Sequence, residues 1–231
     1  MSKQVSEQTI LLFSILKWVA LAAIIGSIVG LTTTAFLKLL NFSIIKFQSN
    51  PYFLICIPII FLLNALLLKY LWPKENIDTT DKIIKTIHKS QPISWKSGVK
   101  AFFLPILTIA GGGSAGKEAP CADVGATAGS IFGKIIKLTK EDRKKIMICG
   151  VSAGFAAVFG TPIAGAIFGV EMLFVGGILY EVLLPSFIAG VMAYHVSSSM
   201  GIKYFTYQLN FIPVITESFL LKIVLAGLKF N

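Results

Sequence analysis

Apolar residues run along this chain in long blocks separated by short polar connections, without the strict alternation that marks half-buried strands. Trp18 to Leu37 (WVALAAIIGSIVGLTTTAFL) is uncharged over about the 20 residues that a transmembrane helix requires. Pro51 to Leu68 supplies a second such run, and the wider apolar regions reach 9–48 and 51–72. A polar connection follows, with one short amphipathic helix predicted at 79–89. Four shorter pieces, 97–110, 120–137, 141–159 and 162–175, come next, then a longer run at 178–200 and a last one at 215–228. Several of the middle pieces are too short to cross a bilayer as straight helices. The expected class is therefore all-α, a polytopic membrane protein with broken, tilted helices.

Composition supports that class: 55% of residues are apolar and only 14% charged, which fits a membrane protein better than a soluble domain. The N-terminal MSKQVSEQTI carries one lysine and no small-residue cleavage site, so it reads as the start of a retained first span. The net charge of +10 sits in clusters between apolar runs, Lys69 to Lys100 and Lys134 to Lys145, without the interleaved aromatics that stack bases. Nucleic acid is accordingly not expected as a partner. Positive-inside topology accounts for the clusters and puts both connections, and the N-terminus if two crossings precede residue 72, in the cytoplasm of a cell with this protein in its plasma membrane. Cys56, Cys121 and Cys149 are irregularly spaced in apolar surroundings and read as buried thiols. His88 and His195 lack ligand spacing and read as surface or helix-end residues, so neither a metal nor any other cofactor is expected.

The stretch GGGSAGKEAP, 111–120, carries the candidate chemistry. Gly111 and Gly116-Lys117 nearly spell a P-loop, but Glu118 stands where a Ser or Thr must hold magnesium, so a nucleotide enzyme is not expected. Pro120 suits the first turn of a helix, where its missing N–H costs nothing. That puts Gly116, Lys117, Glu118, Ala119 and Pro120 at the positive end of a helix, an anion site by its free N–H groups and its dipole. Pro162 opens another helix after the Gly160-Thr161 break. Broken helices meeting inside a bilayer are how transporters build ion sites. A carboxylate there competes with the anion for the same N–H groups, and protonation would release the site, so Glu118 reads as a gate and proton carrier. The plainer alternative is a first-turn carboxylate favoured only by the helix dipole.

Two stretches carry a family resemblance. Gly112 to Gly133 (GGSAGKEAPCADVGATAGSIFG) resembles the G-[RK]-E-G-P region of the CLC family of voltage-gated chloride channels and proton-coupled chloride antiporters. Gly150 to Met172 (GVSAGFAAVFGTPIAGAIFGVEM) is similar to the next conserved stretch of that family, and a basic loop separates the two in both. The resemblance implies an anion channel or H+/Cl− antiporter, with Glu118 as the external gate and Gly116, Lys117, Ala119 and Pro120 at the central anion site. It also implies a homodimer that uses helices equivalent to Ala164–Phe174 and Val182–Ser199.

This sequence departs from the family pattern in ways that bear on its chemistry. Ala119 replaces a usual glycine, and Asp123 stands where glutamine is common. The Gly-Ser-Gly-Ile-Pro motif should fall near Asn76 to Asp81, where NIDTTD has neither its glycines nor its serine, leaving Asp78, Thr79 or Thr80 as stand-ins. Family antiporters often carry two successive acids where this chain has Glu171-Met172, so the inner proton-transfer residue is missing unless Glu171 serves by a local shift. Channel and antiporter stay balanced, and fluoride stands beside chloride because some fluoride-exporting relatives carry a similar Gly-Gly-Ser-Ala-Gly run. The resemblance covers the first of two inverted halves. The expected organisation is a partial CLC domain over 1–231: a cytoplasmic N-terminus at 1–8, the first half at 9–200, and a loop with the start of the second half at 201–231. A truncated or split half, inactive alone and assembling with a complementary second-half polypeptide, is the alternative.

Overall fold

The computed structural model describes residues 2–49, 53–71, 80–172, 180–204, 219–223 and 225. Among these, eight helices follow one another: α1 (Ser2–Gln48), α2 (Phe53–Leu71), α3 (Thr80–His88), α4 (Trp95–Ala110), α5 (Glu118–Ile135), α6 (Lys140–Phe159), α7 (Pro162–Glu171) and α8 (Tyr180–Ser199). No strand occurs among the described residues, in agreement with the all-α expectation. The first apolar region is a single unbroken helix of 47 residues. At about 1.5 Å per residue it is on the order of 70 Å long, well beyond the roughly 30 Å of a hydrocarbon core.

Helix α6 forms the centre. Ile146 to Gly154 are all buried, so this helix is covered on every side. Helix α5 packs against it antiparallel through glycine. A Cβ on Gly125 would run into the carbonyl oxygen of Gly150, and one on Gly129 would stand 2.7 Å from the Ile146 carbonyl oxygen. Small residues let membrane helices approach at backbone distance, where dispersion replaces the hydrophobic drive that lipid does not supply. Helices α1 and α8 run parallel to α6 and meet each other the same way, with Gly26 and Gly30 against Ala189 and Ala193. Helix α7 turns back along α6, with Gly165 and Gly169 against Ser152 and Ala156. The outward sides of α1 and α2 carry exposed Phe13, Leu16, Phe42, Ile59 and Leu62, a surface suited to lipid. The expected dimer helices also present apolar residues outward: Ile163 and Ile167 on α7, Leu184 and Phe187 on α8.

The two ends of the bundle differ in what gathers there. At one end, Lys17 lies 4.0 Å from Asp142, and Lys145 lies 2.8 Å from Glu181 and 5.6 Å from the centre of the Trp18 ring. The main-chain N–H of Ile93 donates to Ser130 Oγ at 2.8 Å, tying the α3–α4 connection to the same end. The basic residues Lys134 to Lys145 therefore gather with the early part of α1. At the opposite end lie the start of α5, the end of α6 and the stretch of α1 around Lys38 and Asn41. Lys17 and Asn41 are about 36 Å apart along α1 at its helical rise, close to one bilayer thickness.

Several expected features fall partly or wholly outside the described residues: positions 76–79 of NIDTTD, including Asp78 and Thr79, positions 173–174 of the Ala164–Phe174 dimer helix, and most of 215–228. Thr80 opens α3. Cys121 and Cys149 are buried free thiols. His88 ends α3, and His195 is exposed on α8.

Candidate functional site

Helix α5 begins at Glu118, two residues earlier than Pro120 suggested, so Pro120 sits inside the first turn, where its lack of an N–H still costs nothing. Lys117 is the residue before the helix, with φ −90° and ψ −14°, and its side chain makes no capping bond. The first-turn N–H groups are thus left to whatever lies in front of the helix. The Oε2 of Glu118 stands 2.7 Å from where a Cβ on Gly116 would be, so the side chain folds back toward a residue two positions before its own helix.

Glu118 forms part of the wall of a cavity of about 710 Å³. The cavity is built from four parts of the chain: α1 (Leu37, Lys38, Leu40, Asn41, Ile44), Ile109 of α4, Ala115 to Glu118, and the end of α6 with the turn after α8 (Val158, Gly201, Ile202, Lys203). Three lysines, Lys38, Lys117 and Lys203, are among the lining residues, with Glu118 as the single acidic one. The cavity lies at the end of the bundle opposite the basic turn before α6.

Of the site residues expected from sequence, Gly116, Lys117 and Glu118 line the cavity together, and Ala119 and Pro120 follow in the first turn of α5. Glu171 and Met172 are not brought to them. Glu171 ends α7 and is exposed, while Met172 packs against the core beside α6. Lys38, Asn41 and Lys203 were missed. A signal existed for the first: Lys38 is the first charge after Lys17 in an otherwise apolar helix, and ionisable residues in such runs mark function. No cluster of three His, Cys, Asp or Glu able to hold a metal occurs among the described residues.

Comparison with known proteins agrees with this architecture. A chloride/fluoride channel protein of Pseudomonas syringae pv. tomato is 30% identical over 232 residues, covering 97% of this chain and 50% of that protein. An uncharacterized protein of Methanocaldococcus jannaschii is 28% identical over 180 residues, covering 78% of this chain and 44% of that protein. The crystal structure of a CLC-type fluoride/proton antiporter superposes with a TM-score of 0.83 at 26% identity, over 94% of this chain and 55% of that one. A slow cyanobacterial Cl−/H+ antiporter shares the fold, with a TM-score of 0.75 at 21% identity over 92% of this chain and 53% of that one. The chain thus spans about half the length of the proteins it matches. The family model for the voltage gated chloride channel matches residues 59–230, and the chain belongs to that family, as an all-α CLC-type fold corresponding to its N-terminal half.

Proposed function

We propose that this chain forms one half of a transmembrane halide pathway, with Glu118 as a carboxylate gate at the start of α5. The observation that carries this reading is the Glu118 carboxylate folded over Gly116, on the wall of a cavity with three lysines. Ionised, it occupies the space in front of the helix that an anion would take, held by the same dipole and N–H groups. Protonated, it has no charge to keep it there, and the anion replaces it. The activity is transport, not a chemical conversion, so no enzyme is proposed. A 30% identical chloride/fluoride channel protein and a 26% identical fluoride/proton antiporter support fluoride beside chloride as substrate.

Positive-inside topology puts the basic end, and with it the N-terminus, in the cytoplasm. The cavity then opens on the outer face of the plasma membrane, and the outer faces of α7 and α8 serve a homodimer. The test is chloride and fluoride efflux from proteoliposomes, with external pH recorded together with the halide. Wild-type efflux should depend on pH, and Glu118→Ala should keep the efflux and lose that dependence. Unchanged pH dependence in Glu118→Ala overturns the gate. Proton movement coupled to the halide identifies an antiporter, and its absence a channel.

A second reading is favoured by one observation, that the chain spans about half of its relatives. On this reading the anion ligands are completed by a complementary second-half polypeptide. Folded, inserted chain without efflux, restored when such a half is reconstituted with it, is the outcome that selects it.

A further inference from the structure

We propose that Lys38 and Lys203, from outside the glycine-rich segment, form an anion-recruiting pair that loads the Glu118 cavity. This rests on the reading of that cavity as an anion site. The two lysines come from different elements. Lys38 projects from the far part of α1, and Lys203 follows the turn that ends α8. Both are exposed residues on the wall of a cavity whose one acidic lining residue is Glu118. With Lys117, the lining carries a clear excess of positive charge. Clefts with one sign of charge and low-dielectric walls concentrate counter-ions and speed their capture.

Lys203 is not on a free loop. Tyr204 next to it donates from its hydroxyl to the Ala157 carbonyl oxygen at 2.9 Å, near the end of α6. Its ring lies on Gly160, where φ is +72° and an added Cβ would meet the ring carbons. Tyr194 of α8 stands against the other side, with ring centres 5.3 Å apart. Ser197 also reaches the Ala157 carbonyl, at 3.5 Å. The turn after α8 is therefore fastened to the end of α6, and the fastening holds Lys203 at the cavity wall. Asn41, one turn beyond Lys38, adds an amide that can donate to an anion between the two.

The proposal separates from the gate by its salt dependence. Recruitment by exposed charge is screened when the Debye length falls from about 30 Å at 0.01 M to about 3 Å at 1 M. A direct ligand in front of a helix is screened much less. The experiment is chloride and fluoride binding to the purified chain in nanodiscs, read by 35Cl and 19F line broadening. The variants are Lys38→Gln, Lys203→Gln, the pair together, and Lys→Arg at both positions.

At low salt the double Gln variant should bind roughly tenfold more weakly, within the range expected of electrostatic focusing. The Arg variants should match wild type, and so should Lys134→Gln with Lys137→Gln at the opposite end. At high salt the difference should vanish. Equal binding of wild type and double Gln variant at low salt overturns the recruiting pair and leaves the gate standing. A difference that persists unchanged at high salt also overturns it, because the lysines are then direct ligands. No halide binding by the wild-type chain under any condition defeats the anion reading of the cavity and this proposal with it. Circular dichroism of each variant separates lost binding from lost folding.

Discussion

The carboxylate of Glu118 rests over Gly116, its Oε2 2.7 Å from the point where a Cβ on Gly116 would stand. Glycine at 116 thus leaves the space into which this side chain folds. A methyl group there collides with the end of a flexible side chain, which can swing away, and not with fixed backbone. Gly116→Ala should therefore leave stability within about 0.5 kcal/mol, as at most surface positions, while expelling the carboxylate from its seat. Halide efflux at neutral pH should rise, and its pH dependence should move toward that of Glu118→Ala. Efflux and pH dependence identical to wild type would mean that the seat over Gly116 is not the closed position.

The glycines between α5 and α6 make the opposite prediction. A Cβ at Gly125 meets the backbone carbonyl of Gly150, which cannot move without separating two helices that form the centre of the bundle. Gly125→Val should cost about 1–3 kcal/mol or more, the usual range for overpacking. Thermal unfolding in detergent measures it. Ala128→Val, on a partly buried position one turn-step away, is the companion that should be tolerated better.

How much of this was legible in the sequence depends on what each feature is made of. Helix existence follows from blocks of apolar residues and from punctuation by Pro162, Gly160 and the basic turn before Lys140, and each of these marks is local. The amphipathic helix near 79–89 and the helices at 97–110 and 141–159 were placed within a few residues for this reason. The anion-site segment was legible because Gly116, Lys117 and Glu118 are consecutive. Lys38 and Lys203 were not, because they lie far apart in sequence and only the parallel course of α1 beside α8 brings them to one cavity. The seat of Glu118 was hidden too, since it depends on a side-chain rotamer.

Tyr204 supplies a graded test of the fastening after α8. Tyr204→Phe keeps the ring on Gly160 and removes only the hydrogen bond to Ala157, a net loss of about 0.5–1.5 kcal/mol. Low-salt halide binding should fall toward that of Lys203→Gln, with a small change in melting temperature. Alkali should act in the same direction. Burial pushes the Tyr204 phenol above its ordinary value of 10.0, so the protonated form is the one the fold favours. Its contribution is complete below pH 10 and is lost as pH rises through the raised value. An alkaline loss of low-salt binding that is smaller in Tyr204→Phe than in wild type is the expected signature.

The separation of the basic end from the cavity predicts the sidedness of the chain in a bilayer. Lys137 lies in the turn between α5 and α6, Lys203 lies at the cavity wall, and about 36 Å of α1 connects the two levels. Cys121 and Cys149 are buried, so they should stay silent to an impermeant thiol reagent, and Cys56→Ser removes the remaining thiol. In that background, Lys203→Cys should react from outside intact cells, and Lys137→Cys only after the membrane is opened. Basic turns are retained on the cytoplasmic side because moving Lys and Arg across the bilayer during insertion is unfavourable. Reaction of Lys137→Cys from outside would break the link between charge and orientation, and reaction of Lys203→Cys only after the membrane is opened would place the Glu118 cavity on the cytoplasmic face. The expected pattern puts Glu118 on the external route, where external protons reach it first.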